Sequence, residues 1–145
     1  MTAVKIKNVN KIYERGNVHA VQNLSLDIKD GEFVALLGPS GCGKTSTLRM
    51  IVGLEKISSG IIQFDDVIVN DLTPEQRNVA MAFESYALYP NLSIAENLSF
   101  PLEVRGIPLE ERTKEVNQIA EMLQISELLN QRPGQLSGGQ QQRVS

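Results

Sequence analysis

The chain opens on alternation. Val4 and Ile6 alternate with lysines, and Leu24, Leu26 and Ile28 repeat the pattern with polar residues between them. A period of two places one set of side chains on one face, so both stretches are predicted as half-buried strands. Lys29-Asp30-Gly31-Glu32 has turn composition and leads into Phe33-Val34-Ala35-Leu36-Leu37. An uninterrupted apolar run of that length fits a strand buried on both faces. Beyond it the period changes, and Thr45 to Gly53 reads as a helix carrying Leu48, Ile51 and Val52.

Ile61 to Phe64 and Val67 to Val69 flank Asp65-Asp66 and predict a hairpin, with the two aspartates as its turn and not a metal-binding pair. Asn78 to Phe83 is predicted as another strand, and Tyr86-Ala87-Leu88-Tyr89-Pro90 as an aromatic-rich loop. From there the pattern is helical. Ser93 and Glu96 have the spacing of a capping box. Leu109 to Gln124 places Val116, Ile119, Ala120 and Leu123 on one stripe, and Ser126 is expected to cap a short helix containing Leu128 and Leu129.

Composition narrows this little. The 145 residues are 41% hydrophobic and 21% charged, ordinary for one soluble α/β domain. A net charge of -3 gives no electrostatic footprint for nucleic acid. The single cysteine, Cys42, excludes an intrachain disulfide and fits a reducing compartment. Nothing resembles a signal peptide, and no run approaches the roughly 18 apolar residues of a membrane span.

Candidate chemistry begins at Gly38-Pro39-Ser40-Gly41-Cys42-Gly43-Lys44-Thr45, which satisfies the phosphate-loop pattern G-x-x-x-x-G-K-[ST]. Glycines let the backbone curl around phosphate oxygens so that successive amides point inward. The helix that follows presents free N–H groups and a positive dipole end to the same oxygens. Lys44 is the cation for the β- and γ-phosphates, and Thr45 the hydroxyl for Mg²⁺. Cys42 is expected to be a small filler turned away from phosphate.

A second motif, Leu136-Ser137-Gly138-Gly139-Gln140, precedes Gln141-Gln142-Arg143. A serine hydroxyl and two glycine amides at a helix start can hold an anion, or can simply cap the helix. Together the two motifs resemble those of ATP-binding cassette (ABC) ATPases, and the likeness runs along essentially the whole chain. It implies ATP and Mg²⁺ as cofactors. Ser137 to Gln140 would grip the γ-phosphate of ATP held by a second ATPase subunit, in a head-to-tail dimer. Ser46 would join the phosphate loop, Tyr13 would stack on adenine, and Val18 would flank the base. Phe83-Glu84-Ser85-Tyr86-Ala87-Leu88-Tyr89-Pro90 looks like a loop that reads FQSYALYP in the carbohydrate-importer branch, which includes the maltose and glycerol-phosphate systems. There it links the γ-phosphate to a groove for a permease helix, with Tyr86, Leu88, Tyr89 and Pro90 helping to form the groove. The resemblance therefore implies a P-loop NTPase core with an antiparallel β subdomain over residues 1–90. It implies a helical subdomain with the signature over 91–145, and a place at the cytoplasmic face of the inner membrane.

Two departures qualify this. Glu84 stands where the family has a glutamine that serves Mg²⁺ and the attacking water. The acidic (Walker B) strand, catalytic glutamate and switch histidine that follow the signature in the family are absent from these 145 residues. His19, the only histidine, lies too early to serve and is expected on the surface or in a strand. The chain is thus expected to grip ATP but hydrolyse little alone, with Phe33 to Leu37 short of sheet neighbours and prone to aggregation. The expected function is the ATPase subunit of an importer, with carbohydrate leading and polyamine or ferric iron as other solutes. Its rivals are a non-hydrolysing nucleotide-binding fragment and a soluble cassette of DNA repair or translation.

Glu84 generates a first prediction. A carboxylate there keeps an oxygen for the metal but loses the amide donor, and adds negative charge near an anionic phosphoryl group. With a closely related second half joined to the chain, Glu84→Gln is expected to raise steady-state turnover at saturating ATP and Mg²⁺. Slower turnover would mean that the carboxylate itself is used.

Overall fold

The computed structural model describes residues 2–145. The chain divides into two compact units, one running to Met81 and the other Ala82–Ser145.

The first unit is built on a four-stranded antiparallel sheet of order β2-β1-β3-β4. Its strands are β1 (Val4–Tyr13), β2 (Val18–Ile28), β3 (Ser59–Phe64) and β4 (Val67–Ile68). The alternating positions pair as expected: Val4 opposite Ile28, and Ile6 opposite Leu26 on one side and Ile62 on the other. The alternation is then interrupted. Asn8 has φ +50°, and the register slips between Ile6 and Val9, so both of these residues are buried although they lie an odd number apart. An extra residue at a bulge reverses the parity of a strand. Gly60 of β3 lies against this bulge, where a Cβ would come within 2.6 Å of Asn8 O and Val9 Cα. Its φ of +99° also suits only glycine.

Helix α1 (Lys44–Val52) buries Thr47, Met50 and Val52. Met50 joins Ile6, Val9, Val21, Ile62, Phe64 and Val69 in the core. Leu48, expected among the apolar residues of this helix, is turned out to solvent. The hairpin and its Asp65-Asp66 turn form as predicted, with Asp65 at φ +50°. A short helix α2 (Pro74–Arg77) starts at a Thr73–Gln76 capping box.

Arg77 then turns inward and is only 7% exposed. Its Nε donates to Leu72 O at 3.0 Å, Nη1 to Met50 O and Ile51 O at 2.7 Å each, and Nη2 to Asn70 O at 3.2 Å. Carbonyls at the end of a helix lack intrahelical partners, and here a buried guanidinium supplies donors to those of α1.

Two expected strands do not form. Phe33 to Leu37 has no strand pairing, with Phe33 94% and Leu37 91% exposed. A doubly buried strand needs a ladder on each side and layers on both faces, and no described segment pairs with it. Val79 to Phe83 likewise runs unpaired after Asn78 closes α2 in a left-handed conformation.

The second unit is helical: α3 (Ile94–Val104), α4 (Leu109–Met122) and α5 (Gly138–Val144), with 3-10 turns at Ser126–Leu128 and Pro133–Gln135. The predicted capping box is present, with Glu96 N donating to Ser93 Oγ at 3.2 Å and Ser93 N to Glu96 Oε2 at 2.6 Å. That backbone donor holds the Glu96 carboxyl below the usual carboxylate range. Ile94 N and Ala95 N, also at the start of α3, donate to Gln131 O and Leu129 O. Of the expected α4 stripe, Val116 and Ala120 are buried and Leu123 packs on the core, but Ile119 is exposed. Ser126 lies inside its 3-10 turn and makes no side-chain cap; Ile125 occupies the cap position and is itself fully buried. The core comprises Ile94, Ala120, Ile125, Leu128, Leu136 and Val144.

Arg77→Ala removes four hydrogen bonds from a buried guanidinium and strands the carbonyls that accept them. Urea unfolding is expected to show a loss of about 3 kcal/mol, with Arg77→Lys recovering only part because an ammonium lacks the planar fork. A loss near zero would mean that water serves those carbonyls equally well.

Candidate functional site

The phosphate loop is placed by its last glycine. Gly43 caps α1 with φ +93°, and a Cβ on it would overlap Ala20 O and reach 3.1 Å from Val21 Cγ2, both on β2. The chain therefore enters α1 by running its backbone directly against the sheet, which only glycine permits. Gly41 has φ +82° with open space around its Cβ direction. At Gly38 a Cβ would lie 2.7 Å from Cys42 Sγ, so Cys42 fills the space above that glycine. Pro39 accepts from Cys42 N at 3.4 Å and closes the turn across Ser40.

Lys44 bends back over this loop. Its Nζ donates to Gly38 O at 2.7 Å and Pro39 O at 2.8 Å, and lies 3.5 Å from Cys42 Sγ. Cys42 is exposed, with its Sγ against both Gly38 and the lysine. Thr45 is exposed at the first turn of α1, and Ser46 follows it, partly buried.

The structure brings Tyr13 to this helix. Its hydroxyl lies 3.2 Å from Ser46 Oγ, and Tyr13 pairs across the β1–β2 turn with Val18, which is half exposed. His19 is exposed on β2.

Within the second unit, Ser137 caps α5. Its Oγ accepts from Gln140 N at 3.4 Å, while Ser137 N donates to Gln140 Oε1 at 2.8 Å. The helix-cap reading of this motif is thus realised, and Gly138 and Gly139 stay exposed beside it. The Tyr86 hydroxyl lies 3.6 Å from the position of a Cβ on Gly138, which joins the aromatic loop to the signature. Glu84 is exposed on the turn Glu84–Ala87. Tyr86 and Ala87 both have positive φ, +60° and +50°, a conformation unfavourable for residues with a Cβ. Asn97 holds the loop against α3: its Oδ1 accepts from Tyr89 N at 2.8 Å, and its Nδ2 donates to the carbonyls of Tyr89, Leu92 and Ser93. Tyr89 and Phe100 form an exposed aromatic pair with centroids 4.9 Å apart.

Sequence reasoning missed Arg77, Asn97 and the buried Lys11, whose Nζ donates to Glu55 Oε1 and Lys56 O beyond the end of α1. The Thr73–Gln76 capping box just before Arg77 announces a helix, but nothing in the pattern tells which way the arginine turns.

A family model described as "ABC transporter" matches residues 21–145. The sn-glycerol-3-phosphate import ATP-binding protein UgpC of Bordetella avium is 47% identical, the match covering 100% of this chain and 40% of that protein. The maltose/maltodextrin import ATP-binding protein MalK of Salmonella typhimurium is 50% identical, with 100% and 39% covered. The chain spans about two-fifths of the length of these curated relatives. A dimeric ATP-binding cassette, solved in a post-hydrolysis state bound to ADP and Pi, superposes with a TM-score of 0.86 at 37% identity, covering 97% of this chain and 66% of that one.

Gly41 and Gly43 separate two costs of a side chain. Both are left-handed, a penalty of about 1–2 kcal/mol for alanine, but only Gly43 also meets backbone. Gly43→Ala is expected to destabilise the protein by at least about 2 kcal/mol more than Gly41→Ala in chemical unfolding. Equal losses would mean that the loop does not rest on β2.

Proposed function

The chain belongs to the ABC transporter family, and we propose that it binds ATP with Mg²⁺ on the loop Gly38–Thr45 as part of an importer ATPase subunit. That subunit would couple ATP binding and hydrolysis to uptake of a solute, with carbohydrate the class favoured by the named relatives. The observation that carries the reading is the loop itself, with left-handed Gly41 and Gly43 and the Lys44 ammonium folded over it.

The chemistry of these residues is binding and positioning. The space beside Gly41 is open, and a phosphate there would meet backbone amides and the start of α1. Lys44 exchanges two carbonyl acceptors for phosphate oxygens, keeping its bonds satisfied while gaining charge complementarity. Thr45 would supply its hydroxyl to Mg²⁺, which when bound neutralises phosphate charge. Tyr13, tied to Ser46, would present its ring to the base. Ser137 and the glycines after it would face the nucleotide of a second ATPase subunit. Its hydroxyl, at 3.4 Å, is only weakly engaged by the cap and could turn toward phosphate. Glu84 is exposed and free to act at the polar end of its loop. Tyr89 and Phe100 would offer the aromatic surface for a permease helix. Among the described residues no helix is long and apolar enough to cross a membrane, and the proposed place is peripheral, at the cytoplasmic face.

The experiment is calorimetric titration of the intact protein with Mg-ATP. Lys44→Ala is expected to weaken binding by about tenfold to a hundredfold, since it deletes the charged donor facing the phosphates. Unchanged affinity would overturn the assignment of this loop.

A further inference from the structure

A lysine inside a core needs partners, because an isolated buried charge is costly. Lys11 is only 8% exposed. Its Nζ lies 2.6 Å from Glu55 Oε1 and 2.8 Å from Lys56 O, and 4.7 Å from the centroid of the Tyr13 ring. Glu55 and Lys56 follow closely on Gly53, which ends α1. One ammonium thus joins the end of β1, the chain leaving the phosphate-loop helix and a face of the tyrosine.

We propose that Lys11 is a positioning residue for the nucleotide base, holding the Tyr13 ring by one face so that the other is the stacking face. This rests on the reading that the loop Gly38–Thr45 takes ATP. The ring is fixed at two points. Its hydroxyl lies 3.2 Å from Ser46 Oγ, which ties its edge to the first turn of α1, and Lys11 ties its face. A ring held only at its hydroxyl could still rotate about its long axis; the ammonium over the face removes that freedom. The charge also matters electronically. A cation is attracted to the negative face of an aromatic ring, and withdrawing density toward that side leaves the opposite face a better partner for an electron-rich purine. A methionine or leucine would fill the same volume but offer neither effect. If only an ion pair with Glu55 were needed, the pair would gain little from burial.

The test separates base from phosphate. The intact protein is titrated with Mg-ATP and with inorganic tripolyphosphate, which carries the phosphates without a base. Lys11→Met is expected to weaken Mg-ATP about five- to tenfold and tripolyphosphate by less than about twofold, with Lys11→Arg restoring most of the loss. Because Lys11→Met leaves Glu55 without its cation, the double variant Lys11→Met/Glu55→Gln is measured beside it and is expected to show the same base-dependent loss. Equal weakening of both ligands would make Lys11 a brace for α1 only, and would overturn the proposal. So would unchanged affinity for both. If the unaltered protein failed to bind Mg-ATP, the nucleotide reading would fall and the role of Lys11 with it.

Discussion

Helix α1 has two ends that it cannot satisfy by itself, and everything at the phosphate loop depends on how its surroundings satisfy them. At the start, Gly43 brings the backbone against Ala20 of β2, closer than any side chain would allow. At the finish, Arg77 gives its guanidinium to the carbonyls of Met50 and Ile51. Between the two, Met50 anchors the helix in the sheet core. Apolar burial alone would let a nine-residue helix slide along its groove, because the hydrophobic effect is non-directional. The polar contacts at its ends fix where along the sheet it stops, and hence where the loop before it stands.

That division between apolar and polar also decides what could be read from sequence. The alternation in β1 and β2, the Asp65-Asp66 turn and the Ser93–Glu96 cap were legible because each depends on near neighbours in the chain. The glycine-rich turn into α1 was legible because left-handed backbone at Gly41 and Gly43 admits few substitutes. The bulge at Asn8 was not: Ile6 and Val9 break the period of two, and only the register slips against β2 and β3 show why. Phe33 to Leu37 shows the opposite case. Its composition states a demand for neighbours, and composition cannot say whether another segment meets it. Arg77 and Lys11 look like ordinary surface charges in the sequence, and burial is what gives them their work.

In the second unit the aromatic loop combines strain with restraint. Two consecutive left-handed residues, Tyr86 and Ala87, cost energy that a free loop would release. Asn97 prevents the release by occupying the polar groups of the backbone on the far side, and the Tyr89–Phe100 contact adds an aromatic hold. A loop kept in such a conformation presents a defined surface without regular secondary structure. Of the four residues that the family likeness singles out, Tyr89 and Pro90 are exposed, while Tyr86 is half-buried and Leu88 packs on the helical core.

The posture of Lys44 carries a consequence of its own. Its ammonium rests on the carbonyls of Gly38 and Pro39, two residues from the cysteine, so the loop carries an internal partner for its own lysine. Were the loop to take a phosphate as proposed, that anion would have to draw the ammonium off its carbonyls as well as shed water. The apparent affinity would then be scaled by the fraction of molecules whose lysine has let go. On the proposed reading of this loop, the residue that holds the ligand would also set the threshold for its entry, and weak anions would be turned away by the same group that retains a polyphosphate.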